Sequence, residues 1–194
     1  MAGDHHVWRL SMATFHAFRD DRPKEEKWEL IDGRPVMAGP PSRMHQRIAR
    51  NIEAMLNVRL ALVRPEWQAD HEIGILLPGD TKYNPEPDIV VADATIAFGE
   101  IYAEHFYAVV EVLSPNDKDW VLDLKLGYYQ SHEPCASVLF VEQTRIACQV
   151  WRRVGGTWTK ADLTLPSDRL DLPEIGDIGP LGDCSRHTPL WVGG

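Results

Sequence analysis

The chain has 194 residues, 44% of them hydrophobic and 25% charged, ordinary proportions for a globular protein that buries its own core. A net charge of −9 is the wrong sign for a protein that coats nucleic acid by charge alone, although it leaves room for an enzyme whose carboxylates hold metal ions, because the ions reverse the local field. No stretch approaches the roughly 18 consecutive apolar residues of a membrane helix, and the start of the chain lacks the basic and apolar regions of a signal peptide, so a cytoplasmic protein is expected.

The elements follow in chain order. SMATFHAF (11–18) has the spacing of a short amphipathic helix. After a charged segment, Asp32-Gly33 between two apolar-containing runs predicts a hairpin of Trp28–Ile31 and Arg34–Ala38. Pro40-Pro41 closes it, and Ser42 is an N-cap candidate for a long helix over 43–62, with Ile48, Ile52, Met55, Leu56 and Leu60 at helical spacing. Trp67–Leu77 reads as one strand, PGDTKYNPEP as a loop, and Asp88–Ala92 and Phe106–Leu113 as two further strands. Ser114-Pro115 ends the last of these and opens a helix over 117–131, in which Trp120, Leu124 and Tyr128 can form a packed stripe. Strands near Ser137–Glu142, Ala147–Arg153 and Thr157–Leu163 come next, and the Pro-, Gly- and Asp-rich segment 166–194 reads as a loop-rich tail. The pattern is α+β (mixed α/β): a central mixed sheet flanked by helices, preceded by an N-terminal helix and β-hairpin, in a single domain over 1–194.

Two carboxylates stand out. Asp88 lies where its strand begins, because Pro87 cannot continue a pairing, and Glu111 sits inside the apolar run Val109–Leu113. If the two strands share a sheet, both carboxylates can converge on one edge, where they suit a hard divalent cation. Asp88 alone could equally cap a turn, whereas a buried Glu111 without a partner would be costly. Position 113, two residues on and on the same side as Glu111, is leucine; Lys125, in the next helix, shares a face with Lys118, Val121 and Tyr129. A helix lysine is ordinarily solvated, so periodicity alone does not bring Lys125 to the site. His45 heads the stripe of Ile48, Ile52 and Leu56, a position that suits a hydrogen-bonded core histidine as well as a functional one. Glu29 could be an exposed strand residue. The three cysteines have no CxxC spacing and read as reduced thiols, and His5-His6 is a bare pair that is not read as a metal site.

Four stretches, WELIDGRPVMAGPPSRMHQRIARNI, PEPDIVV, AVVEVLSPNDKDWVLDLKLGYYQ and SVLFVEQTRIACQVWRR, spanning 28–153, resemble in order and spacing the Uma2 family of restriction endonucleases, with the PD-(D/E)XK nuclease-like fold. The resemblance implies that Asp88 and Glu111 are the metal-binding acids and that Lys125 is the lysine the family carries in the helix rather than the strand. Glu29 matches an acidic position near the site and His45 a recurrent histidine of the first long helix. One departure is visible: family members often carry an aspartate one turn before the helix lysine, where this chain has Val121.

The implied activity is metal-dependent endonucleolytic hydrolysis of phosphodiester bonds, in DNA. Mg²⁺ or Mn²⁺ would be held by Asp88, Glu111 and the Val112 carbonyl, Lys125 would act on the attacking water, and a homodimer would serve both strands. Two rivals compete with it. A catalytically weak module that keeps the fold and binds nucleic acid or a protein partner fits the acidic net charge and Val121; a glycosidase with two carboxylates gives Lys125 no role.

Overall fold

The computed structural model describes residues 9–191; His5-His6 lies outside them. Helix α1 (Met12–Asp20) starts at Ser11, whose hydroxyl accepts a hydrogen bond from the Thr14 amide. Strands β1 (Lys27–Ile31) and β2 (Arg34–Ala38) form the hairpin, joined at Asp32 (φ 51°) and Gly33 (φ 74°). Positive φ at both central residues gives the turn a twist that matches its strands. Helix α2 (Arg43–Val63) is capped by Ser42, whose side chain accepts from the His45 amide at 3.0 Å.

The remaining strands are β3 (Trp67–His71), the short β4 (Gly74–Ile75), β5 (Ile89–Asp93), the short β6 (Tyr102–Ala103), β7 (Phe106–Leu113), β8 (Ser137–Glu142), β9 (Cys148–Val154) and β10 (Thr157–Leu163), with helix α3 (Asp119–Ser131) between β7 and β8. Six of them form the central sheet in the order β10-β9-β8-β7-β5-β3. All its neighbours are antiparallel except β7 and β8, which are parallel and joined across α3. This is the mixed sheet the sequence pattern predicts.

Period-two alternation divides the sheet's side chains between two cores. Ile89, Val91, Val110, Val112, Leu139 and Val141 pack with the buried stripe of α2, Ile48, Ile52, Leu56 and Leu60. Val90, Val109, Val138 and Phe140 pack on the opposite face with Tyr128 and Tyr129 of α3. Glu111 has the parity of Val109, so it faces α3.

Three expectations change. The single strand over 67–77 is broken at Glu72, whose φ of 53° is left-handed: its amide still bonds the Asp88 carbonyl in the register of β3 on β5, but the ladder ends there and β4 starts only at Gly74. The stripe on α3 is rotated: Val121, Lys125, Tyr128 and Tyr129 are buried, while Trp120 is 39% exposed.

The third change is the segment from residue 166, which is not a loop-rich tail. It holds the hairpin β11 (Arg169–Leu172) and β12 (Gly176–Pro180) and a short helix α4 (Leu181–Cys184). Its glycines and acids mark turns: Glu174 and Gly176 both have positive φ. Leu170, Leu172, Ile175, Leu181 and Cys184 enter the α2-side core, and Arg59 and Asn51 of α2 donate to the Ile175 and Cys184 carbonyls at 2.9 Å.

Candidate active site

β5 and β7 run antiparallel with Ile89 opposite Val110, so one step further along the register Asp88 stands opposite Glu111. Directly opposite side chains share a sheet face. Both carboxylates therefore converge at the edge where β5 begins and β7 ends. The Val112 amide donates to Asp88 Oδ2 at 2.7 Å, which fixes this carboxylate.

The hairpin supplies the third acid. Leu30 exchanges backbone hydrogen bonds with Asn84, and the Gly33 amide donates to the Lys82 carbonyl, so β1 lies against the segment that leads into β5. Glu29, between Trp28 and Leu30, is only 4% exposed, and its Oε1 accepts from the Glu86 amide at 2.6 Å.

Helix α3 brings the cation. Lys125 is buried, with its Nζ 2.8 Å from Glu29 Oε1 and 3.1 Å from Glu111 Oε1. One turn on, the Tyr129 hydroxyl donates to the same Glu111 oxygen at 2.6 Å. From α2, His45 places Nε2 3.2 Å from Asp88 Oδ2. All of the residues singled out in the sequence, Glu29, His45, Asp88, Glu111, Val112 and Lys125, thus line one cleft of about 800 Å³.

The charges are out of balance. Six carboxylates line the cleft, against three lysines and His45. Burial comes first in raising the Glu111 carboxyl, Lys125 opposes it, Asp88 and Glu29 raise it further, and the outcome is about 7. For Lys125, burial works against the charge, but Glu111 and Glu29 outweigh it and hold the ammonium well above its ordinary value. The two directions agree physically: one lysine serves two carboxylates, with Asp88 next to them, so the group remains short of positive charge. At Asp88 burial is outweighed by the His45 hydrogen bond and charge and the Val112 amide, which lower its pKa. His45 rises correspondingly, with burial opposing and Asp88 and the Val112 backbone prevailing.

A divalent cation suits this donor set. Asp88 Oδ2 and Glu111 Oε1 are engaged by protein donors, whereas Asp88 Oδ1 and Glu111 Oε2 receive no hydrogen bond among the described residues. Those residues contain no group of three or more His, Cys, Asp and Glu that closes around an ion by itself. Two carboxylates with an open remainder is the arrangement Mg²⁺ favours, since it keeps several waters or takes substrate oxygens.

Several residues of the cleft escaped the sequence reading. Lys27 lies between Glu72 (3.6 Å) and Glu86 (3.5 Å), Gln143 is buried just beyond β8 and accepts from the Ser42 hydroxyl, and Asp117 accepts from the Ser114 amide. Tyr129 was visible as a neighbour of Lys125 on the helix face, but nothing in the spacing gave it Glu111 as partner. Val121 is buried in the cleft wall, and Asp117, four residues earlier, is the acid that reaches the cleft from this part of the chain.

A family model described as "Uma2: Putative restriction endonuclease" matches residues 12–179. The chain belongs to the Uma2 family. The matched region takes in the hairpin, both long helices, the whole central sheet and most of the β11–β12 hairpin. Among solved structures, this Uma2 chain is similar to one described as a putative nuclease belonging to DUF820 from Anabaena variabilis ATCC 29413, with a TM-score of 0.71 and 16% identity over 91% of this chain and 97% of that one. At that identity the likeness is one of fold. No curated protein matches the chain. Among the described residues, no helix is long and apolar enough to cross a membrane.

Proposed function

We propose that this cleft hydrolyses phosphodiester bonds in nucleic acid, with DNA as the first substrate to test, using Mg²⁺ or Mn²⁺ held by Asp88, Glu111 and the Val112 carbonyl. The observation that carries the reading is the meeting of Asp88 and Glu111 across β5 and β7, with Lys125 bridging Glu111 to Glu29. Bound there, the cation would lower the pKa of a water and offset charge on the phosphate. Lys125 has three N–H donors and spends two on Glu29 and Glu111, leaving one to orient a water or a phosphate oxygen in the cleft. Tyr129 and Lys125 together hold one oxygen of Glu111, which leaves the other without a protein donor among the described residues. Glu29 positions Lys125, and His45 holds Asp88 in its ionised form.

The test is cleavage of plasmid and oligonucleotide by the wild type and by Asp88→Ala, Glu111→Ala and Lys125→Ala, with Mg²⁺ and with Mn²⁺. Loss of activity in all three variants is expected; equal activity in all four proteins would sink the assignment. Val121 and the net charge of −9 favour a second reading, a non-catalytic module that keeps the fold. Calorimetric titration separates the two, because that module needs no Mg²⁺ binding dependent on Asp88 and Glu111.

A further inference from the structure

A shallow groove of about 520 Å³ adjoins the cleft and shares Val36, Met37 and Lys118 with it; beyond them it is walled by Trp28, Arg34 and Trp120. Its side chains differ from those of the cleft. Trp120 is 39% exposed and Met37 55% exposed. The Arg34 guanidinium lies over the Trp120 ring, 5.3 Å from its centroid. Among the described residues neither Arg34 nor Lys118 has a carboxylate partner, and the buried Arg34 Nε has no hydrogen-bond partner at all. In a chain of net charge −9, two cations without a carboxylate partner beside an indole that lies under Arg34 and is still 39% exposed select a ligand with a flat apolar face and negative charge. Trp120 and Lys125 stand five positions apart on α3, about 7.5 Å of helix rise, on different faces; the groove and the cleft meet along the Val36, Met37 and Lys118 wall they share, so such a ligand reaches both.

We propose that the groove is a base-stacking subsite: an unpaired base of the nucleic-acid strand flanking the cleavage position stacks on Trp120, while Arg34 and Lys118 take adjacent phosphates. This rests on the nuclease reading of the adjoining cleft and narrows its substrate. A base inside a duplex has both faces covered by its neighbours and can reach Trp120 only by leaving the stack. The protein therefore prefers single-stranded segments, frayed ends or bulges over intact duplex.

The test separates binding from cleavage. A short single strand carrying 2-aminopurine is titrated with the Glu111→Gln protein in Mg²⁺, and fluorescence and anisotropy are read against the same sequence as a duplex. Quenching and tighter binding of the single strand are expected. Trp120→Ala in that background should abolish the quenching and weaken binding roughly 5- to 150-fold, and Trp120→Phe should keep most of both. Trp191→Ala, 38% exposed and outside both cavities, serves as the control and should change neither. Equal affinity for duplex and single strand, or binding and quenching untouched by Trp120→Ala, would overturn the proposal; duplex cleavage by the wild type would then still leave the nuclease reading standing. Conversely, Trp120-dependent binding by a protein inactive with every metal would support the groove and remove the nuclease.

Discussion

Replacing Lys125 by methionine removes the one cation that Glu111 and Glu29 share, at nearly constant volume. Breaking a buried ion pair by deleting one partner costs about 3–5 kcal/mol, because the other charge stays buried and uncompensated. Against a total stability of about 5–15 kcal/mol, and at roughly 2–4 °C per kcal/mol for a chain of this size, the melting temperature should fall by about 6–20 °C. The loss must depend on pH. The folded pKa of Glu111 is raised, from an ordinary 4.5 to about 7. A raised group contributes stability that is fully present below its unfolded value and lost as pH rises through the folded one. Without Lys125 the Glu111 pKa climbs further, so the variant goes on losing stability above pH 7, where the wild type has finished. Thermal melts of both proteins by circular dichroism, from about pH 4.5 to about pH 8.5, should therefore show a gap that is small in acid and widens through neutrality. Glu111→Gln combined with Lys125→Met should recover part of the loss. A gap that is constant with pH, or under about 1 kcal/mol at pH 8, would refute the claim that Lys125 balances two buried carboxylates.

The same titration would govern the proposed metal binding: a protonated Glu111 cannot serve as a ligand, so Mg²⁺ affinity measured by calorimetry should fall up to tenfold per pH unit below about 7, with proton release on binding, and Glu111→Gln should remove this dependence. His45→Ala removes the partner of Asp88 and should cost about 1–3 kcal/mol. Because the His45 pKa is raised, that contribution is present below 6.5 and lost as pH rises through the folded value, so urea midpoints of wild type and variant should converge in alkali. Leu172→Ala, in β11, should cost about 2–5 kcal/mol in denaturant melts, as expected of a core residue; an unchanged midpoint would restore residues 166–191 to a loosely attached tail.

How much of this was legible in the sequence depended on how local the signal was. The hairpin could be read at Asp32-Gly33, the cap of α2 at Ser42, and β7 as the apolar run in FYAVVEVL, because turn chemistry, capping and runs of apolar residues are set within a few positions. The oddity of Glu111 was local too: an ionisable group in an apolar strand needs a partner, whatever the fold. The rotation of α3 was not legible, since Trp120 and Lys125 lie on different faces of the helix and periodicity did not say which meets the sheet. The β11–β12 hairpin was hidden for a related reason: its Pro, Gly and Asp residues look like loop until the apolar residues between them have α2 to pack against.

Composition, charge, the turn at Asp32-Gly33 and the apolar periods sufficed to determine an α+β chain with a carboxylate that needed a partner, because propensity and burial cost belong to short stretches of residues. That the partner is a lysine fourteen positions on, itself held by a glutamate from the first hairpin, was decided only by the tertiary structure. Coulomb attraction and desolvation depend on distance in space, and it is the register of β5 on β7, the rotation of α3 and the docking of β1 that set those distances.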